Sequence, residues 1–404
     1  ADWPPAVIAG AFQTGVLGMR TLIRRGVKAV CFDCDAKQSA FRSSWGRAYL
    51  CPNPDLDPDA WVTFALQLAS ELERKPVLIA SADLFVSAIA AHADRLDEHY
   101  LLSPGAKRQG QLASKETQYA LAAQHGMPMP RTEFVQSSEE IQSFAAHAHF
   151  PCVLKPIHFR EWQLLPSHNR LAFTKVAIAN NLEELLDSWR LASVVNPNVI
   201  LQEIIEGPDR AKRVYLSCYD RDGRRVANAM FQELRCSPLG FGPATVTQPV
   251  VDAETDDICD RFLRAINYSG ICEIEMKRDT RDGRVKLIEA NPRLSGGGDA
   301  APYAGVDLCW LHYLDLIGKT VTPVAPQARD FRHIVLRGDV STIAEYRRAG
   351  LITWGEVIQS YKPPLAFFDF DLRDWRYSFK TVLIMARAAA RGVLDWVRAR
   401  RRPA

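Results

Sequence analysis

Four polar side chains in the second half of the chain are spaced so that they could hold a magnesium ion and a phosphate together. Glu289, Asn291 and Arg293 alternate along one predicted strand, and Glu275 lies on the predicted strand before it. Residues two apart on a strand project from the same face, so these side chains should form one row. Carboxylate and amide oxygens suit Mg²⁺ that is shared with substrate phosphates, and a guanidinium suits a phosphoryl group in transfer. The spacing therefore predicts an ATP site.

The bulk composition is typical of a globular protein. The chain has 404 residues, enough for two or three domains, and its 50 basic and 47 acidic residues give a net charge of +3. This small net charge argues against nucleic-acid binding. No run of ~18 apolar residues predicts a transmembrane segment, and the first residues do not resemble a signal peptide. The nine scattered cysteines are typical of reduced thiols, so we expect a cytoplasmic protein.

The N-terminal part of the chain is predicted to form a βαβ unit. A buried strand at residues 6–10 is followed by Gly15 and Gly18, a helix, and a strand that ends at Asp33. These glycines depart from the G-x-G-x-x-G spacing, but the acid that follows them keeps an NAD-dependent oxidoreductase open as an alternative. Asp83 follows a later strand at its carboxyl end, where ligands of open α/β sheets bind, so it is a candidate substrate residue or a helix N-cap.

Several other segments are predicted from their composition. Residues 105–112 are predicted to be a linker, and residues 157–173 a mobile loop that closes over the site. The polar segment 233–249 contains Arg235, a further candidate substrate contact. Near the C-terminus, basic residues at helical spacing predict a basic amphipathic helix that lies on an anionic membrane, docks on a partner or packs on its own domain. The residues of its basic stripe are Arg376, Lys380, Arg387, Arg391 and Arg398.

The order of these separated elements resembles the ATP-grasp superfamily over residues 1–320. Lys115 is followed about 40 residues later by Lys155, then by the strand exit Gln202–Gly207 and finally by the Glu-x-Asn-x-Arg row. Within the superfamily, the chain looks most like carboxylate–amine ligases related to D-aspartate ligase and carbamoyl-phosphate synthase. The segments that carry this closer likeness are Phe150–Pro156, Tyr219–Arg224 and Glu273–Asp279.

The resemblance implies an α/β fold of the α+β ATP-grasp type. Residues 1–112 would form a Rossmann-like domain that precedes the ATP-grasp domain of residues 113–320. That domain would have two lobes, of about residues 113–197 and 198–320. Residues 321–404 would form a small C-terminal region that ends in the basic helix.

The resemblance also implies the residues that bind the nucleotide. Lys115 and Lys155 would contact the phosphates of ATP. Glu203 and the backbone of Ile205 would meet the adenine, and Asp209 would bind the ribose. The chain lacks glycines in residues 157–174, where many relatives have a Gly-rich phosphate loop, so other side chains would have to replace that loop.

The remaining implied roles concern the metal and the acceptor. Glu275, Glu289 and Asn291 would hold Mg²⁺, usually as two ions, with Mn²⁺ as an alternative. Arg293 would act with Lys155 in catalysis by stabilising the transferred phosphoryl group. The acceptor side would include Ser295, Gly296 and Gly297, for which a plain turn is the alternative.

The implied activity is that of an ATP-dependent carboxylate–amine ligase. Such an enzyme forms an acyl phosphate from a small carboxylate, then an amide with an amine, and releases ADP and phosphate. Carbamoyl-phosphate-synthase-like or carboxylating chemistry is the first alternative. An NAD-dependent oxidoreductase and a non-catalytic nucleotide-binding scaffold are two further alternatives. The oligomeric state is left open, although a homodimer is common among related folds.

Overall fold

Three β-sheets organise the part of the chain that the structure describes. The computed structural model describes residues 2–383 apart from 328, 369, 372, 376, 377 and 380. All five residues of the predicted basic stripe therefore lie outside the described residues. None of the described helices is long and apolar enough to cross a membrane.

The first sheet is parallel, and helices cover it. Its strands are β1 (Ala6–Ala9), β2 (Ala29–Asp33), β3 (Arg47–Leu50) and β4 (Val77–Ala80), in the order β3-β2-β1-β4. Strand β1 is fully buried, as expected for an apolar strand of a parallel sheet that is covered on both faces. The helices of this part are α1 (Gln13–Ile23), α2 (Pro58–Ser70), α3 (Asp83–Ala91), α4 (Ala93–Asp97) and α5 (Ala106–Ala113).

Helix α5 corrects the prediction of a linker at residues 105–112. The segment is helical, and it buries Ala106 and Leu112. Gly110 lies against α3, where an added Cβ would come within 2.3 Å of the Cβ of Ala90. A glycine that usually weakens a helix thus permits close packing of two helices here. Composition alone could not show this contact.

The second sheet is antiparallel and carries Lys155. Its elements in chain order are α6 (Lys115–Gln124), β5 (Thr132–Val135), α7 (Ser138–Ala145), β6 (Cys152–Pro156), α8 (Phe159–Gln163), β7 (Ala177–Ala179), α9 (Leu182–Ala192) and β8 (Val199–Glu203). The strand order is β5-β8-β6-β7. Side-chain oxygens of Ser137 and Asn181 cap α7 and α9, so sequence signals fix where these helices begin.

The predicted mobile loop at residues 157–173 is also corrected. It contains the short helix α8, and Trp162, Leu165 and Leu171 are buried in the core of the second sheet. Asn169 further ties the segment to α9 through a 2.9 Å hydrogen bond to the carbonyl of Leu191. An anchored segment of this kind is not a free lid.

The third sheet has seven strands and carries the acidic row. Its elements are β9 (Lys212–Tyr219), β10 (Arg225–Cys236), β11 (Ala244–Pro249), α10 (Ala253–Ala265), β12 (Gly270–Arg278), β13 (Val285–Asn291), α11 (Leu308–Leu316), β14 (Arg332–Ile334), α12 (Leu336–Arg348), α13 (Trp354–Ser360) and β15 (Leu365–Phe367). The strand order is β13-β12-β9-β10-β11-β14-β15. Residues after 320 thus extend the edge of this sheet beyond β11.

The first and third sheets share one hydrophobic core. Ile8 and Met19 from the first sheet and its helix α1 belong to the same buried cluster as Leu216 of β9, Leu294 and Ala301. The contact between Gly18 and Leu294 is close enough that a Cβ on Gly18 would lie 2.9 Å from the Leu294 side chain. This packing places the first sheet directly beside the residues that follow β13.

Candidate active site

Strands β12 and β13 present a row of three carboxylates and one amide on a single face of the third sheet. In their antiparallel register Glu275 lies opposite Glu289, and Glu273 lies opposite Asn291. The amide Nδ2 of Asn291 donates to Glu273 Oε1 at 3.3 Å and to Glu289 Oε1 at 3.4 Å. The structure therefore brings together the three predicted metal-binding residues and adds one further acid.

The electrostatics of this row favour a bound cation. Burial raises the pKa of Glu275 well above its usual value, and the charges of Glu289 and Glu273 raise it further. A divalent cation among these side chains would offset both effects. Two carboxylates and an amide fit a Mg²⁺ ion that takes its remaining ligands from phosphates and water. Among the described residues no group of three or more His, Cys, Asp or Glu side chains is placed to hold a metal ion. A Mg²⁺ ion here would therefore depend on the Asn291 amide and on ligands from outside the protein.

Glu273 is a site residue that the sequence interpretation missed. Its Oε2 accepts a 2.7 Å hydrogen bond from the hydroxyl of Ser295, and its Oε1 accepts from Asn291. These contacts hold the amide of Asn291 and the residue after the turn in fixed positions. The signal was present, because Glu273 is two residues before Glu275 and must share its face.

Two lysines face this row from the second sheet and α6. The ammonium of Lys155 on β6 donates to Gln202 Oε1 at 2.7 Å, while Lys115 is the first residue of α6. Burial lowers the pKa of both lysines, and the charge of Glu289 opposes that shift in both. Lys155 further lowers the pKa of Lys115. The charge of Glu289 thus acts on both ammonium groups, as expected if both lie on the side of the acidic row.

Arg293 connects the row to the first sheet. Its Nε and Nη2 donate to the two carboxylate oxygens of Asp83 at 2.6 and 2.9 Å, and Nη2 also donates to Asn291 Oδ1 at 3.1 Å. Burial would lower the pKa of Arg293, but the carboxylate of Asp83 raises it above its usual value. Asp83 is the first residue of α3, so the structure joins a predicted substrate residue to the predicted catalytic cation.

Glu203 and Ile205 lie where β8 ends. Glu203 Oε1 accepts a 2.9 Å hydrogen bond from the backbone N–H of His149, and its Oε2 lies 3.7 Å from Nη2 of Arg281. Ile205 is buried. An adenine amino group that approached Glu203 would therefore meet a carboxylate that is already held in place.

Asp209, the candidate ribose-binding acid, has partners within the protein. Its carboxylate lies 3.3 Å from the ammonium of Lys212 and accepts a hydrogen bond from the hydroxyl of Tyr346 on α12. Burial would raise the pKa of Asp209, but Lys212 and Tyr346 lower it. Tyr346 lies beyond residue 320, where the resemblance to the superfamily ends, so the resemblance could not indicate this contact.

Arg235 does not join the candidate site as predicted. Its guanidinium makes two hydrogen bonds to the carboxylate of Asp339, at 2.8 and 2.7 Å, and a third to Ser360 at 3.1 Å. The side chains of Arg235 and Asp339 are 1% and 0% exposed. Arg235 therefore fastens α12 and α13 to β10. Sequence could not distinguish this buried ion pair from a substrate contact.

The turn after β13 lies beside the acidic row. A Cβ added to Gly297 would come within 2.8 Å of Glu273 Oε2, whereas Gly296 and Gly298 have open space there. Ser295 is buried against Glu273, as described above. A cavity adjoins the turn on the side of the first sheet, and its lining includes Thr14, Leu17, Ser295, Gly298, Asp299 and Cys309.

The acid that kept the NAD alternative open has a local role in the structure. Asp33 Oδ2 accepts a 2.8 Å hydrogen bond from the backbone N–H of Ala11, and Asp33 Oδ1 accepts a 3.0 Å hydrogen bond from the backbone N–H of Asp35. Asp33 is buried, so its carboxylate shapes the first turn and does not project towards a ribose.

Two sequence relatives are ligases. D-aspartate ligase of Enterococcus faecium (strain Aus0004) is 26% identical over 254 residues, which are 60% of this chain and 59% of that protein. D-alanine–D-alanine ligase of Pseudomonas fluorescens (strain Pf0-1) is 24% identical over 179 residues, which are 41% of this chain and 49% of that protein. The chain thus spans about half to three fifths of the length of these curated relatives. No family model matches it.

Similar solved structures cover more of the chain. N5-carboxyaminoimidazole synthetase from Staphylococcus aureus has a TM-score of 0.63 and 13% identity, with 82% of each chain covered. L-amino acid ligase from Bacillus licheniformis has a TM-score of 0.57 and 15% identity, with 78% of this chain and 74% of the other covered. At such identities the likeness concerns the fold, which is mixed α/β and of the ATP-grasp type. The sequence relatives and the similar solved structures agree, and both liken this chain to the ATP-grasp ligases.

Proposed function

We propose that the chain is an ATP-dependent carboxylate–amine ligase that acts on amino acids or short peptides. One observation carries the proposal: the Glu275–Glu289 pair lies beside Asn291 and Arg293 and faces the two lysines of the second sheet and α6. The names of the two sequence relatives, D-aspartate ligase and D-alanine–D-alanine ligase, support amino acids as the substrate class.

The proposed reaction has two steps with balanced bonds. A carboxylate oxygen of the first substrate attacks the γ-phosphorus of ATP, the bond to ADP breaks, and an acyl phosphate forms. The amine of the second substrate then attacks the acyl carbon, inorganic phosphate leaves, and an amide forms after the nitrogen loses its proton. The first step is needed because oxide is a poor leaving group, whereas phosphate is a good one.

Each group of side chains has a defined part in this mechanism. Lys115 and Lys155 bind the phosphates of ATP, and Arg293 neutralises charge that develops during phosphoryl transfer. Glu275, Glu289 and Asn291 would hold Mg²⁺, which when bound neutralises phosphate charge and orients the transferred group. Asp83 orients the guanidinium of Arg293 through its two hydrogen bonds.

The test is ADP release with mixtures of carboxylates, with and without amines. We expect release that needs both a carboxylic amino acid and an amine, together with an amide product in equal amount. Glu289→Gln should abolish it, whereas Glu254→Gln, which alters an exposed ion pair with Arg278, should not. Turnover that is independent of any amine would exclude the ligase, and dependence on bicarbonate alone would favour carboxylation.

The finer assignments are also proposals. We propose the domain limits 1–112, 113–320 and 321–404, with lobes of about 113–197 and 198–320. The first sheet lies within residues 1–112, which supports the first limit, whereas strand β8 (Val199–Glu203) still belongs to the second sheet and the third sheet extends past residue 320. We further propose two Mg²⁺ ions, with Mn²⁺ as an alternative. A cytoplasmic location, a homodimer and a membrane or partner contact by the basic C-terminal helix remain proposals as well.

A further inference from the structure

Three lysines lie side by side across the third sheet, next to the acidic row. In the strand register Lys277 of β12 is opposite Lys212 of β9 on one side and opposite Lys286 of β13 on the other. Directly opposite residues share a face, and Lys277 is two residues from Glu275, so all three lysines project from the face of the acidic row. Like charges in this arrangement repel, which calls for compensating anions.

The two outer lysines have compensating carboxylates. The ammonium of Lys212 lies 3.3 Å from Asp209 and 3.1 Å from Glu233. The ammonium of Lys286 lies 2.8 Å from Asp279 and 2.8 Å from Asp282. Each of these charges is therefore offset within the protein.

The central lysine lacks such a partner. Lys277 is only 8% exposed. No described residue accepts a hydrogen bond from its ammonium, and none forms an ion pair with it within 4.0 Å. An ammonium without a partner on a largely buried side chain is costly, which indicates that an anion occupies the space beside it for part of the catalytic cycle.

The position of Lys277 identifies which part of the nucleotide this anion belongs to. The backbone N–H of Thr280 donates to the carbonyl of Glu206, and Arg281 Nη2 donates to the carbonyl of Ile204 at 3.0 Å. The residues just after Lys277 therefore touch the predicted adenine-binding segment, while Glu275 on its other side belongs to the metal and phosphate region. Between an adenine and its terminal phosphates lie the ribose and the α-phosphate.

We propose that Lys277 is a nucleotide-binding residue whose ammonium contacts the α-phosphate of ATP. The proposal rests on the proposed function, because it assumes that ATP binds across the acidic row. It also supplies one cation for a site in which residues 157–174 contain no glycine to form a phosphate-binding loop.

The experiment measures equilibrium binding of Mg²⁺-free ADP, AMP and adenosine to the full chain and to two variants. In Lys277→Met we expect affinity for ADP and AMP to fall at least about tenfold, equivalent to about 1.4 kcal/mol, while adenosine binding changes less than about twofold. Lys277→Arg should recover most of the loss. Lys286→Met is the matched control, because its lysine already has two carboxylates, and it should keep wild-type affinity for ADP.

Stability separates this role from a structural one. Removing an unpaired buried charge should raise the urea midpoint of Lys277→Met, whereas loss of a structural contact would lower it. Unchanged ADP affinity in Lys277→Met, or an equal loss of affinity for adenosine and ADP, would overturn the α-phosphate contact. Neither result would contradict the proposed function. If the wild-type chain binds no ADP, both this inference and the proposed function fail.

Discussion

Asp83 and Arg293 are 210 positions apart in the chain, yet two hydrogen bonds join their side chains between the first and third sheets. The Arg293 side chain is 17% exposed and that of Asp83 is 53% exposed, so the pair borders solvent where a substrate could enter. In the proposed mechanism, Asp83 at the start of α3 would orient the Arg293 guanidinium that stabilises phosphoryl transfer.

Replacing Asp83 should therefore affect turnover more than nucleotide binding. In Asp83→Asn the amide cannot pair with both nitrogens of Arg293 as a carboxylate does, and we expect kcat to fall about 10- to 100-fold, or about 1.4–2.7 kcal/mol in barrier. Steady-state ADP release and the Kd for ADP check this, and the Kd should change less than about twofold. Asp94→Asn, in an exposed pair with Lys107, is the control and should change neither. Wild-type kcat in Asp83→Asn would contradict the positioning role.

Neighbouring glycines provide a second comparison. Gly297→Ala should push against Glu273 Oε2, which Ser295 and the strand hold in place, and so disturb the amide of Asn291. We expect the Mg²⁺ concentration for half-maximal turnover to rise by about tenfold, the scale seen when residues behind a metal ligand are altered. An added Cβ on Gly298 has open space, so Gly298→Ala should keep the Mg²⁺ requirement of the wild type. Equal behaviour of the two variants would show that Glu273 can move without consequence.

The buried ion pair at the C-terminal helices should matter for stability. Arg235→Leu leaves the carboxylate of Asp339 buried without its cation, and we expect the free energy of unfolding to fall by about 3–5 kcal/mol in urea titrations. Arg261→Leu removes a pair whose side chains are 71% and 63% exposed, and it should cost no more than about 0.5 kcal/mol. A small effect of Arg235→Leu would instead reopen its assignment to substrate.

A buried histidine should make stability depend on pH. Burial lowers the pKa of His312 on α11 from 6.5 to about 4, and its Nδ1 has no hydrogen-bond partner among the described residues. Between about pH 4 and pH 6.5 the unfolded chain binds a proton at His312 more readily than the folded chain does. The free energy of unfolding should therefore be highest above about pH 6.5 and should decrease as the pH falls towards 4. Urea midpoints of the wild type and His312→Gln at pH 7 and pH 5 check this. The variant should lose less stability than the wild type over that range.

The sequence was most informative where regular spacing and chemistry coincide. The strands at residues 132–135 and 285–291 follow apolar patterns, and a turn at Asp282-Gly283 makes the two acidic strands neighbours. The exact pairing of Glu275 with Glu289 also depends on a register shift between Glu275 and Met276, which the sequence does not show. The row of metal-binding candidates could thus be assembled before any coordinates were considered. The fourth member of the row, Glu273, could have been predicted in the same way, because residues two apart on a strand share a face.

Contacts between separated parts of the chain explain what the sequence does not predict. Gly110 was interpreted as a linker residue because its packing against Ala90 depends on a helix distant in sequence. The candidate ligand residues Arg235 and Asp209 contact Asp339 and Tyr346, which lie more than a hundred positions later, so the sequence alone does not predict these contacts. Residues 157–173 were interpreted as mobile because the three apolar side chains that anchor them lack a regular spacing.

The shared core of the first and third sheets limits how this protein can be rearranged. Ile8 and Met19 pack with Leu216 and Leu294 in one buried cluster. This packing would have to be preserved if the N-terminal segment were exchanged with that of a relative. A chimaera with a foreign N-terminal segment would bring mismatched apolar side chains into this shared core. An isolated N-terminal fragment would expose the apolar side chains that it contributes to the core. The folding of the first sheet and the folding of the third sheet therefore depend on each other, since each completes the interior of its neighbour.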